Sequence, residues 1–507
     1  MKNNISILFV HGNGSPILYQ DLAKDFAARE TPIWAGMLAN SVRVKGYSTA
    51  ILDCEVEQLT IAESVEKIHE YKPKIVCFVV YGQNPNASTQ NMFGNIETAK
   101  LLKQNYPQYK TLFIGNHVIA LPDEVLKEEC VDLVCTGEGV YALDNLLQVS
   151  NLNDEYQLGK VKGIAWKDKE GLLNFNEYEK IVPQDRLEID LPGIAWDLLP
   201  SPNKYRTSFW HAWSNNTETS PFASIYTSLG CYAKCDFCMI NIINRTDADK
   251  NISAADSNVM RHWSPSFIIK HFDYLASQNV KNIKIADEMF VLKKDHYVEL
   301  CKLLKERQYG FNIWTYARVN TVKEGYLDLM KEAGINWLGI GIESADTQVR
   351  SIVTKGLFKD ENIVDVVKTI QAHDIAVGGN YIFGLPTDTR ESIQTTIDFM
   401  MNNLTENMNI YPAMAYPGSP LYLDAKRKGL ELPKTYQEWA MFSYETKNLS
   451  TYNLTAAEIL KMRDECFMKY FTNETYLSWM KSRYGQKCID SIKAMTSVKL
   501  KRKLLGD

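Results

Sequence analysis

Gly230-Cys-Tyr-Ala-Lys-Cys-Asp-Phe-Cys238 decides how this chain is read. Three cysteines, Cys231, Cys235 and Cys238, fall within eight residues at the spacing C-x3-C-x2-C. A short loop of that kind can wrap one face of a metal cluster and present three thiolates to it. A cubane [4Fe–4S] cluster has four irons, normally held by four cysteines. Three ligands with no fourth nearby leave one iron open to a group that is not protein. A structural zinc site would need a fourth Cys or His at a matching distance. His211 precedes the loop, and His262 and Cys301 follow it, but none forms a second paired half-site.

With Phe237 directly before the last cysteine, the segment resembles the cluster loop of the radical S-adenosylmethionine enzymes. The resemblance implies that the amino and carboxylate groups of the cofactor's methionine part chelate the open iron, with Phe237 beside them. It also implies a low-potential cluster that cleaves S-adenosylmethionine to a 5′-deoxyadenosyl radical.

The rest of the composition frames that reading. At 507 residues the chain exceeds a single core. A hydrophobic content of 45% and a charged content of 23% are ordinary for globular proteins. A net charge of −5 argues against a surface that coats nucleic acid. The short basic run Lys499-Leu-Lys-Arg-Lys503 is expected to be a solvated helix end. Ten scattered cysteines without a secretion pattern point to a reducing, cytoplasmic setting. No apolar run is long enough to span a bilayer; Lys74-Ile-Val-Cys-Phe-Val-Val80 is strand-sized.

Residues 1–150 alternate strand and helix patterns, which predicts a doubly wound parallel sheet. Ile5–Val10, Tyr47–Asp53, Ile75–Val80, Thr111–Gly115 and Val131–Cys135 are the expected strands. Small or polar loops follow three of them, at Gly82–Thr89, Gly115–His117 and Thr136–Gly139. Ligands of such sheets bind at the carboxyl ends of the strands. His11-Gly-Asn-Gly-Ser-Pro16 lacks the third glycine of a dinucleotide fingerprint, and a proline stands where the helix should begin.

The order of loops from Thr111 to Gly139 is similar to the cobalamin-binding domain that precedes the radical core in one branch of the family. Asn116 departs from the pattern, standing where a second glycine is usual. The resemblance implies cobalamin contacts from Gln83, Asn84, Ser88, Gly115, His117, Gly137, Glu138 and Gly139. No Asp-x-His-x-x-Gly motif follows the first strand, so cobalt is expected without a protein imidazole below it. A doubly wound scaffold without cobalamin is the alternative, since fold alone does not fix function.

Residues 151–205 read as a hairpin and linker. Val161–Trp166 and Leu172–Phe175 flank a polar turn, and four prolines follow. Residues 206–425 alternate again, as a partial (β/α)6 TIM-like barrel whose strand ends would form the site. The family resemblance covers this core. It implies S-adenosylmethionine contacts from Asp287 and Glu288 on the second strand, Arg318 on the third, and Gly339, Gly341 and Glu343 on the fourth. Each has a plainer reading as a helix cap, an ion pair or a packing glycine. Lys355 is expected to be solvated. Residues 426–507 are aromatic and helical, a cap over the barrel's open side.

These parts imply a radical enzyme that methylates an unactivated carbon of a small-molecule or biosynthetic-intermediate substrate, fed by a flavodoxin- or ferredoxin-like reductant. Two alternatives stand beside it. One is radical cyclisation, rearrangement or oxidation without methyl transfer. The other is a non-catalytic iron–sulfur electron-transfer module.

Overall fold

Five parallel strands with apolar faces on both sides start the chain: β1 (Ile7–His11), β2 (Thr49–Asp53), β3 (Ile75–Val79), β4 (Lys110–Ile114) and β5 (Leu133–Cys135). The computed structural model describes residues 4–82, 84–215, 218–244, 259–355 and 362–507. Ile7 and Phe9 enter one hydrophobic cluster while Leu8 and Val10 enter another, so β1 is covered on both faces. That is why its sequence is a continuous apolar run with no polar alternation. The strand order β2-β1-β3-β4-β5 places the topological switch between β1 and β3.

The hairpin joins this sheet. β6 (Ile164–Lys167) pairs antiparallel with β5, and β7 (Leu173–Phe175) pairs with β6, giving seven strands. Sequence reading placed it in a separate connector. Its buried Ile164, Ala165 and Trp166 find their cover at the sheet's open edge.

A second sheet supplies the half-barrel. It comprises β8 (Phe222–Ile225), β11 (Asn282–Ile285), β12 (Asn312–Arg318), β13 (Ile335–Glu343), β14 (Ala376–Phe383) and β15 (Asn407–Pro412), all parallel and paired in that order. Two short antiparallel strands, β9 (Ser228–Leu229) and β10 (Arg261–His262), sit at the root of the cysteine loop. The core that covers one face of β1 continues into the barrel strands and the C-terminal helices.

Helices Ala456–Phe471 and Glu474–Ser497 cover the β15 side. The Tyr470 hydroxyl donates to the Thr405 carbonyl at 2.7 Å, and that of Tyr476 to the Glu406 carbonyl at 2.8 Å. Their aromatic spacing is therefore core, each ring taking a barrel-side backbone oxygen with its polar tip. The basic run at the end corrects the expectation of a solvated helix end. The helix stops at Ser497, and Arg502 is 1% exposed. Its guanidinium donates to Asp464 at 3.0 Å and to the Met441 carbonyl at 2.6 Å, clasping the tail to the cap. Among the described residues no helix is long and apolar enough to cross a membrane.

Candidate active site

The strand tips of both sheets face one cavity of about 820 Å³. Cys231, Cys235 and Cys238 stand on its wall together with Phe237, Glu288, Arg318, Gly339, Gly341 and Glu343. Across it lie Gly12, Gly14 and Ser15 after β1, Glu55 after β2, and Asn84–Ala87 after β3.

The cysteine loop is held from several sides. The Asp236 N–H donates to the Val353 carbonyl at 3.0 Å, and the Leu421 N–H donates to the Asp236 carbonyl at 2.8 Å. Lys355 is half-exposed yet pairs with the Asp236 carboxylate at 2.6 Å. At the root, the buried Asp287 carboxylate accepts from the Thr227 N–H (2.6 Å), the Thr227 hydroxyl (2.5 Å) and the Ser228 hydroxyl (2.7 Å). Burial still pushes its carboxyl up to about 6.

Two backbone N–H groups already point at the sulfurs, from Ala233 to Cys231 Sγ (3.4 Å) and from Ile240 to Cys238 Sγ (3.5 Å). Such bonds tune iron–sulfur centres. Burial pushes the thiols up, to about 11 for Cys231 and about 12 for Cys235, so thiolates here require a strongly cationic partner. Among the described residues, no three of His, Cys, Asp and Glu gather tightly enough for a single metal ion. Three sulfurs on one wall, with N–H donors behind two of them, fit a polynuclear iron–sulfur group.

Two carboxyls share that end of the cavity. Glu288 Oε1 is sealed from solvent and has no hydrogen-bond partner, and burial raises the group to about 8. Glu343 is held with φ +67 next to an irregularity in the pairing of β13 with β14. A non-glycine residue in that region stores backbone strain of order 1–3 kcal/mol. Burial raises its carboxyl to about 7 against the opposing pull of the Arg318 charge. The absent side chain at Gly341 makes this placement fit, since a Cβ there would lie 2.8 Å from Glu343 Oε1.

The predicted cobalamin residues divide. Asn84 lies on the cavity wall, and Gln83 lies outside the described residues. Ser88, Gly115, His117, Gly137, Glu138 and Gly139 are not on that wall, nor is Asp287 from the other set. The His117 N–H donates to the Ser88 hydroxyl at 3.0 Å, and its Nδ1 lies 3.1 Å from the Thr89 hydroxyl. Burial lowers the imidazole to about 3, keeping it neutral. Glu138 is almost wholly buried, pairs with Arg261 of β10 at 2.5 Å and accepts from the Val182 N–H at 2.8 Å. These residues join elements together.

Sequence reading missed much of the wall. On the first sheet's side stand Ser15, Tyr19, Glu55 and Gln90. The Ser15 hydroxyl donates to Glu55, and His11 Nδ1 is 3.9 Å from Glu55 Oε2. From the barrel come Lys284, Trp314, Tyr316, Asn380, Asn409 and Tyr411. Lys284 pairs with Glu30 at 2.9 Å. The strand-end rule could have found the tips of β1 and β2, because the switch lies between β1 and β3. No signal in sequence spacing announces the inward row of β11 to β15.

The Radical SAM superfamily matches residues 225–400, and the B12 binding domain matches residues 19–147. The two matches fall on the half-barrel and on the first sheet. An uncharacterized methyltransferase of Pyrococcus horikoshii is 27% identical over 443 residues, 87% of each chain. The anaerobic magnesium-protoporphyrin IX monomethyl ester cyclase of Cereibacter sphaeroides is 22% identical, over 90% of this chain and 68% of the cyclase. Among solved structures, the radical S-adenosylmethionine methyltransferase TsrM from Kitasatospora setae, with cobalamin and a [4Fe–4S] cluster bound, superposes with a TM-score of 0.67. It is 14% identical, over 97% of this chain and all of TsrM, a likeness of fold.

Proposed function

The chain belongs to the radical S-adenosylmethionine enzymes that carry a cobalamin-binding domain, and on that premise we propose that it methylates an unactivated carbon of a small-molecule substrate. Its cofactors are a [4Fe–4S] cluster, S-adenosylmethionine and cobalamin. One observation carries the proposal: the cysteine loop and the switch-point tips of the first sheet line the same cavity. A substrate between them is within reach of both cofactor positions.

In this reading Cys231, Cys235 and Cys238 hold the cluster, and Phe237 packs beside it. When bound, the cofactors supply one-electron cleavage of S-adenosylmethionine and a transferable methyl group. Glu288 and Glu343 offer carboxyls to a cationic ligand at that end. Each gives up its proton more readily once a positive charge stands against it, since pairing offsets the cost of burying the anion. Arg318 offers the opposite charge on the same wall. Asn84, with Ser15, Glu55 and Gln90, offers polar contacts on the first sheet's side. Neither His11 nor His117 is on the wall.

The test is anaerobic purification with cobalamin supplied, followed by iron and cobalt quantification and an absorption spectrum. Bound corrinoid with iron, and a product heavier by one methyl group, support the proposal. Iron without cobalt overturns methyl transfer and favours cyclisation, rearrangement or oxidation.

A further inference from the structure

Charge is unevenly spread over the cavity wall. At the cysteine end two carboxyls, Glu288 and Glu343, share the wall with one guanidinium, Arg318. On the first sheet's side Glu55 accepts from Ser15, and Glu30 pairs with Lys284 at 2.9 Å. The cap end has the opposite balance. Arg463 and the exposed Lys499 stand on the wall there, with Asp464 beside them. That carboxylate is shared. Arg463 Nη1 donates to it at 2.7 Å, and Arg502 donates to it through Nε at 3.0 Å and Nη2 at 3.2 Å. Two guanidiniums against one carboxylate leave a positive charge in excess.

Arg463 is built into this wall. It is 4% exposed, and its Nε–H donates to the Ile410 carbonyl at 3.0 Å. The rings of Phe442 and Phe467, both on the wall, lie 5.8 and 5.1 Å from its guanidinium carbon. Among the described residues its Nη2 donates to no protein group, yet that nitrogen is not sealed off. Burial works against the charge, and so does Arg502. A held guanidinium with donors to spare suits a carboxylate or phosphate, which would relieve both costs. Tyr411 joins the two ends of the cavity: it is 41% exposed, and the charges of Glu343 and Arg463 both act on its phenol. Asn409, next on the same face of β15, donates its amide to Asn380 Oδ1 at 3.0 Å. A ligand reaching from Arg463 towards the cysteines therefore crosses a polar floor.

We propose that the substrate is an anion whose carboxylate or phosphate docks on Arg463, with Tyr411 and Asn409 on the floor beside it and its reacting carbon towards the cysteine loop. This rests on the cavity being the active site of the proposed radical enzyme. The phosphodiester of a corrinoid tail has the same chemistry, and the test separates the two sources. The probe is 8-anilinonaphthalene-1-sulfonate, an aromatic anion, set against N-phenyl-1-naphthylamine, the same rings without the charge. Both are titrated by fluorescence into the full chain and into Arg463→Gln, Phe467→Glu and Arg318→Gln. Phe467→Glu keeps Arg463 and its bond to Ile410, and sets a carboxylate one helical turn away to occupy the guanidinium. Expected is one saturable anion site, displaced by phenyl phosphate and not by benzyl alcohol. The anion should bind about tenfold more weakly to Arg463→Gln and Phe467→Glu. The neutral probe should bind all four proteins alike, and Arg318→Gln should bind both probes as wild type does. No saturable anion binding, equal anion binding in wild type and both cap variants, loss of both probes together in both, or loss confined to Arg318→Gln overturns the proposal. Cobalamin uptake on the same samples should be equal in wild type and Arg463→Gln; its loss in the variant assigns the guanidinium to the corrinoid and overturns the proposal. Charge-dependent probe binding without cobalt in wild type refutes methyl transfer alone, and cobalt without such binding refutes this proposal alone.

Discussion

Replacing Glu288 by Gln removes a buried acid whose ionisation the cofactor-free fold resists. Its carboxyl is raised from 4.5 to about 8, chiefly by burial, with Lys284 opposing. A folded-state value above the unfolded one means that the folded protein holds the proton more tightly. Stability is then full below about pH 4.5 and is lost as pH rises through 8. Between pH 5.5 and pH 8.5 the loss integrates to up to about 3 kcal/mol at 1.36 kcal/mol per unit. This is a ceiling, because Glu288 partly faces the cavity, where water can relieve the cost. Glu288→Gln keeps the shape and has nothing to titrate. Urea unfolding of cofactor-free protein at both pH values should show the variant gaining on wild type by that amount at pH 8.5. Equal pH dependence in the two proteins would refute the claim that Glu288 is desolvated and without a counter-charge sufficient to hold it ionised.

Three further outcomes are expected. Cys235→Ser should lower iron from about four per chain to near zero after anaerobic reconstitution, because two thiolates do not retain a cubane cluster; iron analysis checks it. Gly341→Ala sets a Cβ 2.8 Å from Glu343 Oε1, the free end of a flexible side chain that can turn aside, so the urea midpoint should hold while the displaced carboxyl weakens S-adenosylmethionine binding in calorimetry, with cluster content unchanged. Arg261→Ala leaves Glu138 charged and buried, a loss of about 3–5 kcal/mol seen as a lower urea midpoint, and Arg261→Met with Glu138→Leu should recover most of it.

Cys231, Cys235 and Cys238 were legible as a group because their spacing puts three thiols on one short loop, and the structure brings all three to one cavity wall. The apolar runs at β1 and β3 were equally plain, since strands buried on both faces carry no polar alternation. Asp287 and Glu288 show where such reading ends. They are neighbours on one strand end, yet Asp287 is spent on Thr227 and Ser228 while Glu288 reaches the cavity. Which of two adjacent carboxyls turns inward depends on three-dimensional partners. Nor could spacing show the partners of Glu138 and His117, Arg261 and Thr89, which lie 123 and 28 residues away.

The Glu138–Arg261 pair has a consequence for how this architecture can be taken apart. Arg261 lies on the strand that pairs with Ser228–Leu229, immediately ahead of the cysteines, and Glu138 follows the last parallel strand of the first sheet. The root of the cysteine loop is thus bolted to the other half of the molecule inside a shared core. A truncation that removed the first sheet would strand a guanidinium in the interior and bare an apolar wall. The barrel half is accordingly no portable cassette: grafted or expressed alone, it should lose the shape of its cysteine loop before any chemistry is asked of it.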